Sequence, residues 1–337
     1  MTARNALRLA AALATALFLP ASQAQLFRAY LSIDGSDANP CTLAQPCRLL
    51  PAAIAAVATN GEIWMLDSAN YNSGGVILNK SVTILAVPGA LGSVVALGGN
   101  AISITSSGHY VTLRNLNIVP FPGSEGFTGV ALAGSSYLQL QGCNVTGFSS
   151  GYGVRSYGGA GRYITIVDSV FRRNSEAVSF EDGASGSITG SHFSDSTIAV
   201  HVVSTSAQTS QVTVSRSVAT RGQYGFLAES YLNASARTEL SVIGSTVSLN
   251  TQWGIAAYSE VGAESKVSVA DTQLSHNNFA VIASGTGARV YARNNTVTLN
   301  ASGFVNTGAT FQTGGNNAVR DSTTANTTGT ISALPEI

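Results

Sequence analysis

Seven side chains in the middle of the chain have the chemistry to hold or break a sugar polymer: Arg155, Tyr157, Glu181, Asp182, His201, Glu229 and Tyr258. From Arg155 through Glu181, His201 and Glu229 to Tyr258 the steps are 26, 20, 28 and 29 residues. That spacing returns them to one side of a coiling chain. Aromatic rings pack on the C–H faces of sugars, while charged groups fix hydroxyls or carboxylates. Elimination at a uronate needs a group to neutralise the carboxylate and a base to remove the adjacent proton. Arg155, His201 and Tyr157 are the candidate bases. Glu181, Asp182 and Glu229 supply oxygens of the kind Ca²⁺ takes, so calcium is the one cofactor to consider. Hydrolysis asks instead for two carboxylates at a defined separation. Glu181 and Glu229, two coils apart, would stand about 10 Å from each other, slightly wide for that role. A solenoid face also carries charge simply for solubility, so a solvated or binding-only face competes with catalysis. Arg172, Arg173 and Glu176 read as a local salt-bridge group of little energetic weight. His109, His192 and His276 lie near turns and read as structural.

These residues are positioned by a repeat. Val111, Leu138, Ile164, Ile188, Val212, Leu240, Val267 and Val290 anchor segments of period-two alternation at intervals of 23 to 28 residues. Four residues beyond most anchors stands a type that tolerates a left-handed backbone: Asn115, Gly142, Asp168, Gly244, Asp271 and Asn294. Arg216 interrupts that column, and the rung at Ile188 is short. An apolar residue follows seven past the anchor, and Asn174, Asn250, Asn277 and Asn300 follow ten past it, aligned for an amide ladder. A third strand opens each time with a small residue and an apolar one, as in Gly153-Val154, Ala177-Val178, Ala199-Val200 and Gly225-Phe226. Counted from that apolar residue, the seven candidate residues fall outward or in the adjoining loops.

Three short strands per coil predict an all-β fold, a parallel β-helix. Further strands are expected at 63–66, 76–78, 82–85, 94–97 and 102–104. A helix is expected from Arg48 to Ala58, with Pro51 in its first turn, capping the open first coil. The domain then runs over 25–322, its cap over about 25–62, with a polar tail at 323–337.

Composition sets the compartment and narrows the partners. Arg4 and Arg8 precede an apolar run from Leu9 to Leu19, and Ser22-Gln23-Ala24 supplies a small-x-small cleavage site. Residues 1–24 therefore read as a signal peptide, and no later stretch is long and apolar enough to span a bilayer. Its removal takes two of the 17 basic residues and none of the 17 acids, for a net charge of −2. No basic stripe is left to track a phosphate backbone, so nucleic acid is not an expected partner. Cys41 and Cys47 can pair in an oxidising compartment, and Cys143 is left over within the repeat, where a buried thiol is expected.

With its columns aligned, the chain resembles the right-handed parallel β-helix proteins of the pectin-lyase-like superfamily, most strongly from Tyr110 to Thr310. Tyr30-Leu31-Ser32-Ile33-Asp34-Gly35-Ser36-Asp37, with Pro40-Cys41 and Pro46-Cys47-Arg48, also resembles the N-terminal lead-in of many secreted bacterial members. The right hand comes from this resemblance. The superfamily includes polysaccharide lyases, hydrolases, epimerases and adhesins, so it implies a polysaccharide or cell-surface glycan as partner. The chain lacks the Asn-Thr-Asp, Asp-Asp, Gly-His-Gly and Arg-Ile-Lys series of polygalacturonases, the Asp-Pro-His-Asp of alginate epimerases and the Arg-x-Pro-x-x-Arg of pectate lyases. No catalytic residue transfers by match. The expectation is therefore a secreted or cell-surface β-helix that binds glycans, or builds structure, without turnover. The alternative is a divergent lyase acting on an acidic, uronate-containing polysaccharide.

Overall fold

The computed structural model describes residues 25–124, 126–260 and 262–334. The proposed signal peptide lies outside the described residues. Thirty-five strands stack into three parallel sheets, one strand of each per coil. The first sheet has 13 strands, from Leu26–Leu31 to Ile331–Ala333, and the second and third have 11 each. Alternation explains the core: Leu138 and Leu140 point inward and are buried, while Tyr137 in the same strand faces solvent. Inward columns from all three sheets merge into one continuous apolar core along the axis.

The anchors stack as expected, with one correction. Gly186, not Ile188, takes the anchor place in its rung, paired with Ile164 and Val212, and Ile188 sits one inward position further on. Phe180 from the third sheet fills the space below: a Cβ on Gly186 would lie 2.6 Å from its ring. With the register moved by two, Gly190 completes the turn column at φ 62°. Arg216 does not break that column either, since it adopts φ 46°. The geometry of the bend is thus imposed by stacking, even on a residue with little preference for it.

Hydrogen-bond ladders close the turns. Asn250 Nδ2 donates to Asn277 Oδ1 at 2.9 Å, and Asn277 Nδ2 to Asn300 Oδ1 at 3.0 Å. Asn174 stands apart, donating to the Val145 carbonyl. A second ladder, unanticipated, runs five residues past each anchor. The backbone N–H of each of Ser169, Ser191 and Ser217 donates to the hydroxyl on the next coil, ending on Ser245. Both ladders are buried, so they satisfy backbone groups that water cannot reach.

The N-terminal cap forms with shorter bounds than the sequence suggested. The helix spans Leu50–Ala56, and Val57 already opens the strand Val57–Met65. Asp37 Oδ1 accepts the N–H groups of Arg48 and Leu49, and Lys80 Nζ donates to the carbonyls of Ile54 and Val57. These contacts satisfy backbone groups at the two ends. Leu50, Ala53 and Ile54 are buried over the first coil. The Cys41–Cys47 disulfide is formed beside this cap. Cys143 is free and buried, its thiol pushed up to about 11 by burial.

The expected tail is a further correction. Ala325–Thr328 and Ile331–Ala333 pair with Ser302–Thr307 and Thr310–Thr313 and extend the coil. At an open end the strand needs only backbone pairing, so apolar alternation, the usual signal, is weak there.

Candidate ionic and aromatic site on the third sheet

The outer face of the third sheet carries three rows that run along the axis. Arg155, Ser179 and His201 are direct neighbours in one row. Glu181, Val203, Glu229 and Tyr258 follow one another in the next, so Glu181 and Glu229 are two coils apart. Tyr157 stands just beyond the strand Tyr152–Ser156, level with Glu181.

Two ionic groups result. Arg155 Nε donates to Glu181 Oε1 at 2.7 Å, and its Nη2 to Oε2 at 3.1 Å. Its guanidinium carbon lies 4.4 Å from the Tyr152 ring centroid and 4.8 Å from that of Tyr157. Burial alone would lower the Arg155 pKa, but the Glu181 hydrogen bonds and charge hold it above its ordinary value. Beneath this pair, Arg162 is buried and donates through Nη2 to the carbonyls of Glu181 and Asp182, fixing the strand end.

The second group is a carboxylate–imidazole–carboxylate bridge. His201 Nδ1 lies 3.1 Å from Glu176 Oε2, and Nε2 lies 3.0 Å from Glu229 Oε2. Burial of the ring disfavours its charge, yet the two carboxylates outweigh burial and raise the pKa to about 9. Burial would likewise raise Glu176, but the His201 hydrogen bond and charge bring it below the usual carboxylate value. At neutral pH His201 is an imidazolium with both N–H groups committed.

The remaining candidates separate from these groups. Asp182 accepts the backbone N–H groups of Thr205 and Ser206 at 2.7 and 3.1 Å, with their hydroxyls also in contact, and so ties down the next coil's loop. Tyr258 donates to Glu260, and this hydrogen bond, with burial, pushes the phenol up to about 12. Glu181, Asp182 and Glu229 each serve a different partner. Among the described residues no group of three or more acids, histidines or cysteines is placed to hold a metal ion.

Sequence reasoning missed three features. Glu176 does not join Arg172 and Arg173; it opens a third-sheet strand, while Arg173 sits in a turn at φ 53°. The signal was present. The residue before each small–apolar pair forms its own outward row: Tyr152, Glu176, Ile198, Tyr224, Trp253 and Phe279. Next to the bridge, Leu227, Ala256, Ile282 and Val305 also face outward and bury one another, with Ile198, Trp253, Tyr258 and Phe279 packed against them. An apolar platform thus adjoins a charged cluster on one sheet.

A family model described as "Right handed beta helix region" matches residues 100–263. The chain folds as a parallel β-helix, and its residues 100–263 match the right-handed form. Among solved structures, this β-helix is similar to pectate lyase Pel9A, with a TM-score of 0.62 at 13% identity, covering 89% of this chain and 80% of that one. It is also similar to the A-module of the Azotobacter vinelandii mannuronan C-5 epimerase AlgE6, with a TM-score of 0.56 at 13% identity, covering 85% and 94%. A third is the GH136 lacto-N-biosidase from Eubacterium ramulus, with a TM-score of 0.55 at 11% identity, covering 92% and 67%. At these identities the likeness is one of fold. No curated protein matches the chain in sequence. Among the described residues no helix is long and apolar enough to cross a membrane.

Proposed function

We propose that this β-helix acts on an acidic, uronate-containing polysaccharide at the outer face of the third sheet, cleaving it by β-elimination. The observation that carries the reading is the Arg155 guanidinium held between Tyr152 and Tyr157. Glu181 engages Nε and Nη2, and among the described residues nothing is bonded to Nη1, which can meet a substrate carboxylate. That contact stabilises the charge that builds when the adjacent proton leaves. Arg155 is committed to the carboxylate and His201 to its two glutamates, so Tyr157, beside the Arg155 guanidinium, serves as the base in its phenolate form. The Tyr157 phenolate takes the proton next to the carboxylate and becomes a phenol. The electron pair forms the double bond, the glycosidic C–O bond breaks, and the departing oxygen is protonated from the phenol. The platform around Trp253 and Leu227 suits the C–H faces of neighbouring sugars. The relatives named above for uronate polymers, a pectate lyase and a mannuronan epimerase, support the substrate class. An oxidising location outside the cytoplasm belongs to this reading, supported by the Cys41–Cys47 disulfide.

The test is ultraviolet absorbance of unsaturated uronate products over a panel of polygalacturonate, mannuronan and glucuronan, with and without added Ca²⁺. Absence of product from every acidic polymer overturns the lyase reading. A second reading, glycan binding without turnover, is favoured by one observation: Arg155, Glu176, Glu181, His201 and Glu229 are already paired with one another. It predicts saturable binding to the same polymers with no new absorbance.

A further inference from the structure

A different face of the molecule carries a second built feature. On the outer side of the first sheet a groove of about 510 Å³ runs across successive coils from Tyr163 to Tyr291. Five strand steps separate the two tyrosines, so the groove is about 24 Å long. Its floor is made of short side chains, among them Ser185, Thr213, Ser241 and Ser268.

We propose that this groove is a second carbohydrate site, which takes an uncharged, extended oligosaccharide. Three observations point to that chemistry. Tyr110, Tyr137 and Tyr163 form an exposed row, with ring centroids 4.7 and 5.8 Å apart. The row stops at Tyr163, because the next coil has Ser185 in its place. Tyr163 therefore presents an uncovered ring to the groove, and Tyr291 presents another at the far end, each able to pack on a sugar C–H face. The floor hydroxyls and the Gln211 amide supply both donors and acceptors, as a polyhydroxylated ligand requires. The lining also matches a neutral ligand in charge. Its one acid and one base, Glu239 and Lys266, stand 3.6 Å apart and offset each other, and Gln211 Nε2 also donates to Glu239. A polyanion would find no uncompensated cation there, and a peptide would find no pocket for an apolar side chain.

The groove lies on a different sheet from Arg155 and His201, so its occupancy does not depend on the lyase reading. The full mature chain should be titrated with xylo-, cello- and manno-oligosaccharides of increasing length, using calorimetry. At least one series should bind, with affinity rising with chain length. Tyr163→Ala should weaken binding about tenfold. Ser241→Tyr, which fills the groove from an outward position, should abolish it with the thermal midpoint unchanged. Arg155→Ala should leave it intact. Absence of binding by all three series, binding that survives both groove variants, or binding lost in Arg155→Ala would each overturn the proposal. A negative uronate assay would leave it standing.

Discussion

His201 Nε2 stands 3.0 Å from Glu229 Oε2 across adjacent strands of the third sheet, while Glu176 approaches the other ring nitrogen from the opposite side. One imidazole therefore links three successive coils. Two carboxylates around one nearly buried ring make it a cation, so the bridge is at once a structural clamp and a titrating group.

The bridge makes stability depend on pH with a definite sign. The folded-state pKa of His201 is raised from 6.5 to about 9. Its contribution is complete below about pH 6.5 and is lost as pH rises through about 9. Glu176 is shifted the other way, so its contribution is lost as pH falls through its lowered pKa. Urea midpoints should fall on the alkaline side in the wild type. His201→Gln should abolish that fall and cost on the order of 3 kcal/mol near neutral pH. A wild-type midpoint that stays level from neutral pH to about pH 10 would contradict the bridge.

The proposed chemistry separates Tyr157 from Arg155. Tyr157→Phe should reduce the rate of unsaturated product by roughly 10²-fold or more while polymer affinity holds. Arg155→Lys should lose both binding and rate, because an ammonium cannot keep a bidentate grip on Glu181 and also face a substrate carboxylate. Product formation undiminished in Tyr157→Phe would remove that residue from the mechanism.

Asn277 is the centre of the amide ladder: it accepts from Asn250 and donates to Asn300 and to the Val247 carbonyl. Asn277→Ala strands buried polar groups on both neighbouring coils and should cost about 2–4 kcal/mol in chemical unfolding. Asn174→Ala should cost less, because it lies outside that run of amides.

At Gly186, repeat pattern and structure give opposite expectations. The anchor column would suggest that a branched apolar residue improves the rung. A Cβ there would meet the Ile164 carbonyl oxygen at 2.2 Å and the Phe180 ring at 2.6 Å. Gly186→Val should therefore destabilise, by about 1–3 kcal/mol, and pairing it with Phe180→Ala should recover part of the loss. An increase in thermal midpoint for Gly186→Val alone would show the register to be wrong.

The coil was legible because each rung repeats the same backbone problem. Inward anchors such as Val111 and Val267, and bends such as Asn115 and Asp271, must satisfy identical steric demands, and those demands leave columns in the sequence. The errors came where a residue's surroundings are made by another rung. Gly186 is explained by Phe180, the left-handed bend at Arg216 by its stacked neighbours, and the strands after Thr323 by backbone pairing at an open end.

Residue spacing alone therefore determined that this protein coils into three parallel sheets, and that Arg155, Glu181, His201 and Glu229 face outward together. Tertiary structure decided which of them touch. It separated Arg155–Glu181 from Glu176–His201–Glu229, turned Asp182 and Tyr258 to other partners, and opened a groove on another sheet. Periodicity follows from the local backbone geometry that every coil shares. Ionic pairing depends on side-chain reach between coils and on burial, which exist only once the coils are stacked.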